Sequence, residues 1–147
     1  MADRVSVSIR IGGDLAENQR RKLVDLVVDQ GLSLEWDKPD FDFTQFSDDG
    51  PLLLHAHEVA WGRMDDLESF CVEYGLPFVR WSGGYPGQFG PERAVFTGSG
   101  DVTLYAADEE EFTVMSRTTA ERLGSYDAIV AHFAAADFHV PHFRFGP

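Results

Sequence analysis

The sequence predicts a single α+β domain with a mixed or antiparallel sheet and two to three helices on one side. Residues 5–11 alternate between apolar and polar side chains, the pattern of a half-buried strand, and helical and extended patterns then follow each other along the chain. The chain has 147 residues, close to the commonest length of one domain, and shows no repeat, low-complexity segment or linker. We therefore expect residues 1–147 to fold as one domain.

The first strand is followed by a predicted helix and a loop. Asp14 and Glu17 form a capping-box pattern that predicts a helix over 15–30. Residues 32–36 alternate as a short strand, and the stretch 37–51 combines Asp, Pro and Gly in the way typical of a loop. The helix would therefore connect two strands in a β-α-β unit.

A second β-α-β unit follows in the sequence. Residues 52–61 form an apolar strand, which predicts a central position in the sheet, and a helix over 64–74 and a strand over 76–81 come next. Two such units in succession are the order of a ferredoxin-like core. Residues 93–97 and 102–106 then predict a hairpin.

The C-terminal third adds one more strand and a helix. Residues 111–115 are a candidate strand, and a second capping-box pattern, Thr118 with Glu121, opens the helix. Gly124 and Ser125 are expected to interrupt that helix.

Charge and cysteine content limit the functions that are open to the chain. Twelve Lys and Arg against 25 Asp and Glu leave a formal charge of -13, which repels nucleic-acid phosphates and anionic lipids. We therefore expect no direct binding to nucleic acid or membrane. No signal-peptide or membrane-spanning pattern is present, and the single cysteine, Cys71, cannot form an internal disulfide. These features predict a cytoplasmic protein, and no motif calls for a cofactor.

Acidic side chains and a glycine-rich loop form the predicted surface for a protein partner. The loop SGGYPGQFGPE, residues 82–92, lacks the Lys-Ser or Lys-Thr pair of a phosphate-binding loop, but its aromatic residues are typical of protein interfaces. Acidic residues are dense in the loop 37–49, in the helix 64–74 and in the run 108–111. Solvated faces and a loop tip are the alternative explanations for the acidic residues, and a loop folded back over the sheet edge is the alternative for the glycine-rich loop. The candidate partner-binding residues are Asp37, Asp40, Asp42, Asp48, Asp49, Asp65, Asp66, Glu68, Glu73, Trp81, Tyr85 and Phe89.

Histidine and cysteine side chains supply the candidates for an enzyme. His55 and His57 stand at i and i+2 of a predicted strand, so both rings point to one side and can hold one metal ion with a carboxylate such as Glu58. The explanation that we favour is that both histidines are structural or solvent-facing residues. Cys71 lies on the apolar stripe of a predicted helix, where free cysteine acts as a small buried hydrophobe rather than as a nucleophile.

One stretch of the sequence also suggests a biological setting. The segment WGRMDDLESFCVEYGLPFVRWSGGYPGQFGPERAVF, from Trp61 to Phe96, resembles uncharacterised accessory proteins of bacterial plasmids and phages. The resemblance covers about a quarter of the chain and implies no residue role. It implies a setting in which small acidic proteins resemble anti-CRISPR or anti-restriction inhibitors.

Three functions follow from these observations. The first is an acidic inhibitor that docks into the basic nucleic-acid channel of a host defence complex, acting as a nucleic-acid mimic. The second is a small metal-dependent hydrolase that uses His55, His57 and Glu58. The third is an immunity or antitoxin protein that neutralises a basic toxin. The first and third share their electrostatics and differ only in the partner.

Overall fold

The computed structural model of the chain describes residues 4–34, 50–60 and 64–146. Five strands form an antiparallel sheet in the order β3-β1-β4-β5-β6, and two further strands, β2 and β7, form a small parallel sheet. The strands are β1 (Arg4–Ile11), β2 (Gly13–Ala16), β3 (Leu52–Ala60), β4 (Phe78–Ser82), β5 (Glu92–Phe96), β6 (Thr103–Ala106) and β7 (Phe143–Gly146). The helices are α1 (Arg20–Asp29), α2 (Asp65–Glu73), α3 (Arg117–Leu123) and α4 (Tyr126–Ala136), with a 3-10 turn at Glu17–Gln19. The architecture is the predicted α+β class.

Three described strands and one isolated bridge follow the order of the predicted ferredoxin-like core. Strands β3 and β4 both run antiparallel to β1, which lies between them, and α2 connects them over the sheet. Ser33 extends this arrangement because its backbone exchanges two hydrogen bonds with His55 on β3, at 2.9 and 2.8 Å. The order Ser33-β3-β1-β4 is that of two interleaved β-α-β units. Strands β5 and β6 lengthen the sheet beyond this core.

The alternation of β1 decides which face of the sheet carries the main core. Val7, Ile9 and Ile11 are fully buried on one side, which we call the first face. Helices α1 and α2 cover this face with Leu23, Val27, Leu67, Phe70 and Cys71. Each fully buried side chain of this size stabilises the fold by about 1.5–3 kcal/mol relative to an exposed one.

The opposite side of the sheet, the second face, carries a smaller core. Val79 and Val95 pack there against Val140. Helix α4 also lies on this side, because the Nε of Arg93 donates to the carbonyl oxygen of Ala136 at 2.8 Å. Two helices thus cover the first face, as predicted, and α4 adds a helix on the second.

Several predicted boundaries are wrong. Asp14 does not cap a helix, because residues 13–16 pair in parallel with β7 and α1 begins only at Arg20. Ser116, rather than Thr118, caps α3 by accepting a hydrogen bond from the backbone N–H of Thr119. The interruption at Gly124 is confirmed: Gly124 has φ +81° and Ser125 caps α4.

Two predicted strands also differ in place or extent. The central strand of the ferredoxin-like core is β1, which pairs on both sides, whereas β3 meets only the Ser33 bridge on its outer side within the described residues. In the expected strand 111–115, Thr113 alone forms a bridge, with Ala107. Across residues 4–34, 50–60 and 64–146, no helix combines the length and the apolar character needed to cross a bilayer.

Candidate protein-binding surface

Helix α2 presents the acidic side chains that the sequence singles out. Asp65 and Asp66 stand in its first turn and are exposed, where their charge is favourable next to the partial positive charge of the helix N-terminus. Glu68 is half-buried and points toward the sheet, whereas Glu73 is exposed in the last turn. Asp65 and Glu68 line a shared cavity, whereas Asp66 lines none of the cavities described below.

A buried arginine on β4 ties α2 to the sheet. The guanidinium of Arg80 donates from Nε to Oε2 of Glu68 at 2.8 Å and from Nη2 to Oε1 of Glu92 at 3.1 Å. Its Nη1 donates to the hydroxyl oxygen of Ser82. Burial raises the pKa of the Glu68 carboxyl, and the neighbouring Arg80 opposes that shift without cancelling it. Arg80 and Glu92 are not among the predicted site residues, since an arginine inside a short apolar strand gives no sign of which carboxylates it will meet.

A cavity of about 410 Å³ opens beside this network. Three carboxylates, from Asp65, Glu68 and Glu92, line it together with the single cation of Arg80. The lining therefore carries two more negative than positive charges. Its apolar wall comes from the loop and from the edge strand β6, through Phe89 and Leu104.

A second cavity of about 440 Å³ shares Asp65 and Glu68 with the first and continues along α2. Val72, Glu73 and Val102 line this part. Val72 is 42% exposed and Leu104 is 60% exposed, so both leave apolar surface open to solvent between the carboxylates. We call the two cavities together the acidic groove, formed by Asp65, Glu68, Ser69, Val72, Glu73, Arg80, Ser82, Phe89, Gly90, Glu92, Val102 and Leu104.

The glycine-rich loop brings one of its predicted aromatic anchors to this groove. Tyr85 and Phe89 exchange backbone hydrogen bonds of 2.8 and 3.1 Å around Gly87, whose φ of +78° suits the tight turn. Their ring centroids lie 6.4 Å apart. Phe89 lines the groove, and Tyr85 is exposed beside it.

Trp81 is not an exposed anchor, which corrects the sequence prediction. Its side chain is 6% exposed, and its indole N–H donates to the carbonyl oxygen of Asp108 at 2.9 Å. The physical reason is the alternation of β4: Arg80 faces α2, so Trp81 points to the second face, where residues 108–111 cover it. The remaining candidates Asp37, Asp40, Asp42, Asp48 and Asp49 lie outside the described residues.

Of the candidate metal-site residues, the structure describes the side chains of His55 and His57 but not that of Glu58. His57 shares a hydrogen bond of 3.0 Å with Ser6, and His55 lies in the backbone bridge to Ser33. In the parts of the chain that the structure describes, no three His, Cys, Asp or Glu side chains are grouped so that they could hold a metal ion. Cys71 is fully buried, and burial raises the pKa of its thiol, which disfavours the nucleophilic thiolate.

No protein-family model, curated protein or solved structure matches the chain. The resemblance of residues 61–96 to plasmid and phage accessory proteins therefore stays a prediction.

Proposed function

We propose that the chain is a protein-binding module whose acidic groove receives a basic segment of a protein partner. The observation that carries this proposal is the combination of surplus carboxylates and exposed apolar side chains along one groove. Leu104 and Val72 expose apolar surface that a partner would cover, while Asp65 and Glu73 stand beside them as carboxylates for its cations. Exposed apolar side chains among the carboxylates are not required for a face that is simply solvated.

The chemistry of the partner follows from the charge of the whole chain. A formal charge of -13 attracts basic surfaces over long distances and accelerates their association at low salt. Clefts that hold nucleic acid are lined by clustered Lys and Arg and are strongly positive surfaces of this kind. In its most concrete form, the proposal is a cytoplasmic inhibitor that occupies the nucleic-acid site of such a protein or complex.

An immunity or antitoxin protein would use the same groove against a basic toxin, and the identity of the captured partner distinguishes the two. A metal-dependent hydrolase built on His55, His57 and Glu58 has no observation in its favour among the described side chains.

The test compares two neighbouring residues of one helix. Tagged protein is used to capture partners from a bacterial lysate at low and at high salt, with the variants Asp65→Lys and Asp66→Lys in parallel. Both residues are exposed in the first turn of α2, so the two substitutions change charge and helix equally, but only Asp65 lines the groove. We expect a partner that the wild type and Asp66→Lys retain and that Asp65→Lys and high salt both lose.

Identical capture by all three proteins would place the binding surface elsewhere and refute the groove. Capture that high salt leaves unchanged would refute the electrostatic part of the proposal. Mass spectrometry of the retained partner then separates a nucleic-acid-handling complex from a toxin.

A further inference from the structure

A cavity of about 550 Å³ lies on the second face of the sheet, away from the acidic groove. Two arginines contribute to its floor, Arg10 from β1 and Arg93 from β5. Residues 110–112 form one wall and residues 137–140 form another. The cavity therefore lies between two segments that are distant in sequence and that both cross the same face of the sheet.

The segment 108–111, which we call the acidic strap, leads into the first of these walls and is fixed to the sheet at Glu111. Glu109 and Glu110 form its exposed tip, as a solvated loop tip would, whereas Asp108 and Glu111 are half-buried. The Asp108 carboxylate accepts hydrogen bonds from the backbone N–H groups of Glu110 and Phe112, at 2.9 and 3.0 Å. The hydroxyl of Ser8 donates to Oε1 of Glu111 at 2.8 Å. Glu111 has φ +72°, an uncommon conformation for a residue with a side chain, and these contacts hold it there.

Arg93 already donates hydrogen bonds to both walls of the cavity. Its Nε donates to the carbonyl oxygen of Ala136, and its Nη1 donates to the carbonyl oxygen of Glu111 at 2.9 Å. Its Nη2 donates to no group in the part of the chain that the structure describes. Burial lowers the pKa of Arg93, and the positive charge of Arg10 acts in the same direction, while Asp137 and Glu111 oppose the shift. The guanidinium nevertheless stays protonated, because arginine starts from so high a value.

Arg10 is the unusual member of the pair. Its half-buried guanidinium makes no hydrogen bond or ion pair with any residue that the structure describes, although the chain has about twice as many acidic as basic residues. The nearby carboxylates are engaged otherwise: Glu111 accepts from Ser8, and Asp137 accepts from the hydroxyl of Thr113 at 2.9 Å. Arg10 thus lines the cavity with guanidinium donors that no described side chain accepts, and a ligand carboxylate could accept from them.

We propose that this cavity binds a small molecule that carries a carboxylate at one end and an ammonium group at the other, as a free amino acid does. The carboxylate would accept two parallel hydrogen bonds from the planar guanidinium of Arg10, the geometry that guanidinium groups favour. It would accept a further hydrogen bond from the Nη2 of Arg93. The ammonium group would meet the carboxylates of Glu110 and Asp137. Phe112 and Phe138 supply an apolar wall for the rest of the molecule.

The mixed charge of the walls distinguishes this ligand class from a plain anion. The lining carries three carboxylates, from Glu110, Glu111 and Asp137, so a phosphate with two negative charges would be repelled more than a single carboxylate. A simple amine would leave the guanidinium donors of Arg10 and the Nη2 of Arg93 without an acceptor. A molecule with both charges satisfies both ends of the cavity.

The experiment titrates the full chain with each standard L-amino acid at millimolar concentration, followed by calorimetry or ligand-observed NMR. The best binder is then compared with its methyl ester, which lacks the carboxylate, with its N-acetyl form, which lacks the ammonium, and with inorganic phosphate. We expect saturable binding of the free amino acid, weaker binding of the N-acetyl form, and none of the ester or of phosphate.

Variants assign that binding to the cavity. Arg10→Gln should weaken it by about tenfold or more, and Arg10→Lys should weaken it as well, because lysine keeps the charge but not the fork. Arg10 has no side-chain partner in the described fold, so both variants should fold, and Arg10→Lys preserves the charge as a check. Arg117→Gln, a fully exposed arginine on α3, is the matched control and should bind as the wild type does. Asp65→Lys should also bind normally, since this cavity is separate from the acidic groove.

The proposal is overturned if no amino acid binds, if Arg10→Gln and Arg10→Lys bind as tightly as the wild type, or if the ester or phosphate binds as well as the free amino acid.

Discussion

The Nε of Arg80 lies 2.8 Å from Oε2 of Glu68, and the two side chains are only 6% and 13% exposed. This contact joins the acidic helix α2 to the middle of the sheet and forms one wall of the acidic groove. Taking both charges out of water costs free energy that offsets much of their attraction, so the intact pair adds little net stability. Removing one partner is strongly destabilising, because it leaves the other charge buried and unpaired. The first two predictions follow from it.

Arg80→Ala should destabilise the fold by about 3–5 kcal/mol, because it leaves the Glu68 carboxylate buried without its cation. Arg117→Ala removes an exposed pair with Glu121 on α3 and should cost about 0.5 kcal/mol or less. Urea denaturation of the two variants measures the difference. Equal effects would mean that Glu68 gains no stabilisation from Arg80 in the folded state.

The raised pKa of Glu68 predicts a pH dependence of stability. Burial makes the folded state bind this proton more tightly than the unfolded state, whose carboxyl keeps the ordinary value of 4.5. The free energy of unfolding should therefore fall as the pH rises from 4.5 to the raised pKa, and level off above it. In Glu68→Gln this decline should be absent. Glu73→Gln, an exposed residue of the same helix, controls for the loss of one carboxylate. A decline that persists in Glu68→Gln would assign it to another group.

Substitutions at two neighbouring residues of the edge strand β6 test which face of the sheet binds the partner. Leu104 lines the acidic groove, whereas Thr103 points to the second face. Leu104→Arg should weaken binding of the basic partner about tenfold or more, because it places a like charge where the partner's cation would lie. Thr103→Arg changes the net charge equally and should have a much smaller effect. The measurement is the dissociation constant for the captured partner, and equal losses would indicate a general charge effect.

A close backbone contact at Gly12 gives a prediction about stability alone. A Cβ at this position would overlap the carbonyl oxygen of Pro141 and lie 2.9 Å from the Val140 side chain. Gly12→Ala should therefore destabilise the fold by about 1–3 kcal/mol or more, through displacement of the segment that leads into β7. Gly90→Ala, where a Cβ would meet nothing within 4 Å, should change stability by less than about 0.5 kcal/mol. Thermal unfolding of both variants checks the contrast, and similar midpoints would show that the tail adjusts freely.

The sequence predicted best those parts whose pattern is local. The alternation at residues 5–11 identified β1, and the apolar spacing of Leu67, Phe70 and Cys71 identified the buried face of α2. The acidic residues of α2 were also identified in advance, because charge can be read from composition. Asp14 shows the limit: its capping pattern is real, but pairing with β7 at the other end of the chain outweighs it.

By itself, the sequence determined the α+β class, the negative charge and the amphipathic elements, since each depends on side chains within a few residues of one another. Only the tertiary structure decided that Trp81 is buried while Phe89 lines the groove, and that Arg80 lies between Glu68 and Glu92. It also decided that Arg10 stands beside Arg93 with no ion pair to a carboxylate of the described residues. The physical reason is that strand alternation places neighbouring side chains on opposite faces of the sheet. It does not determine which of these faces a later segment of the chain will cover. That choice is made by pairings between distant strands, whose free energy appears in no local pattern.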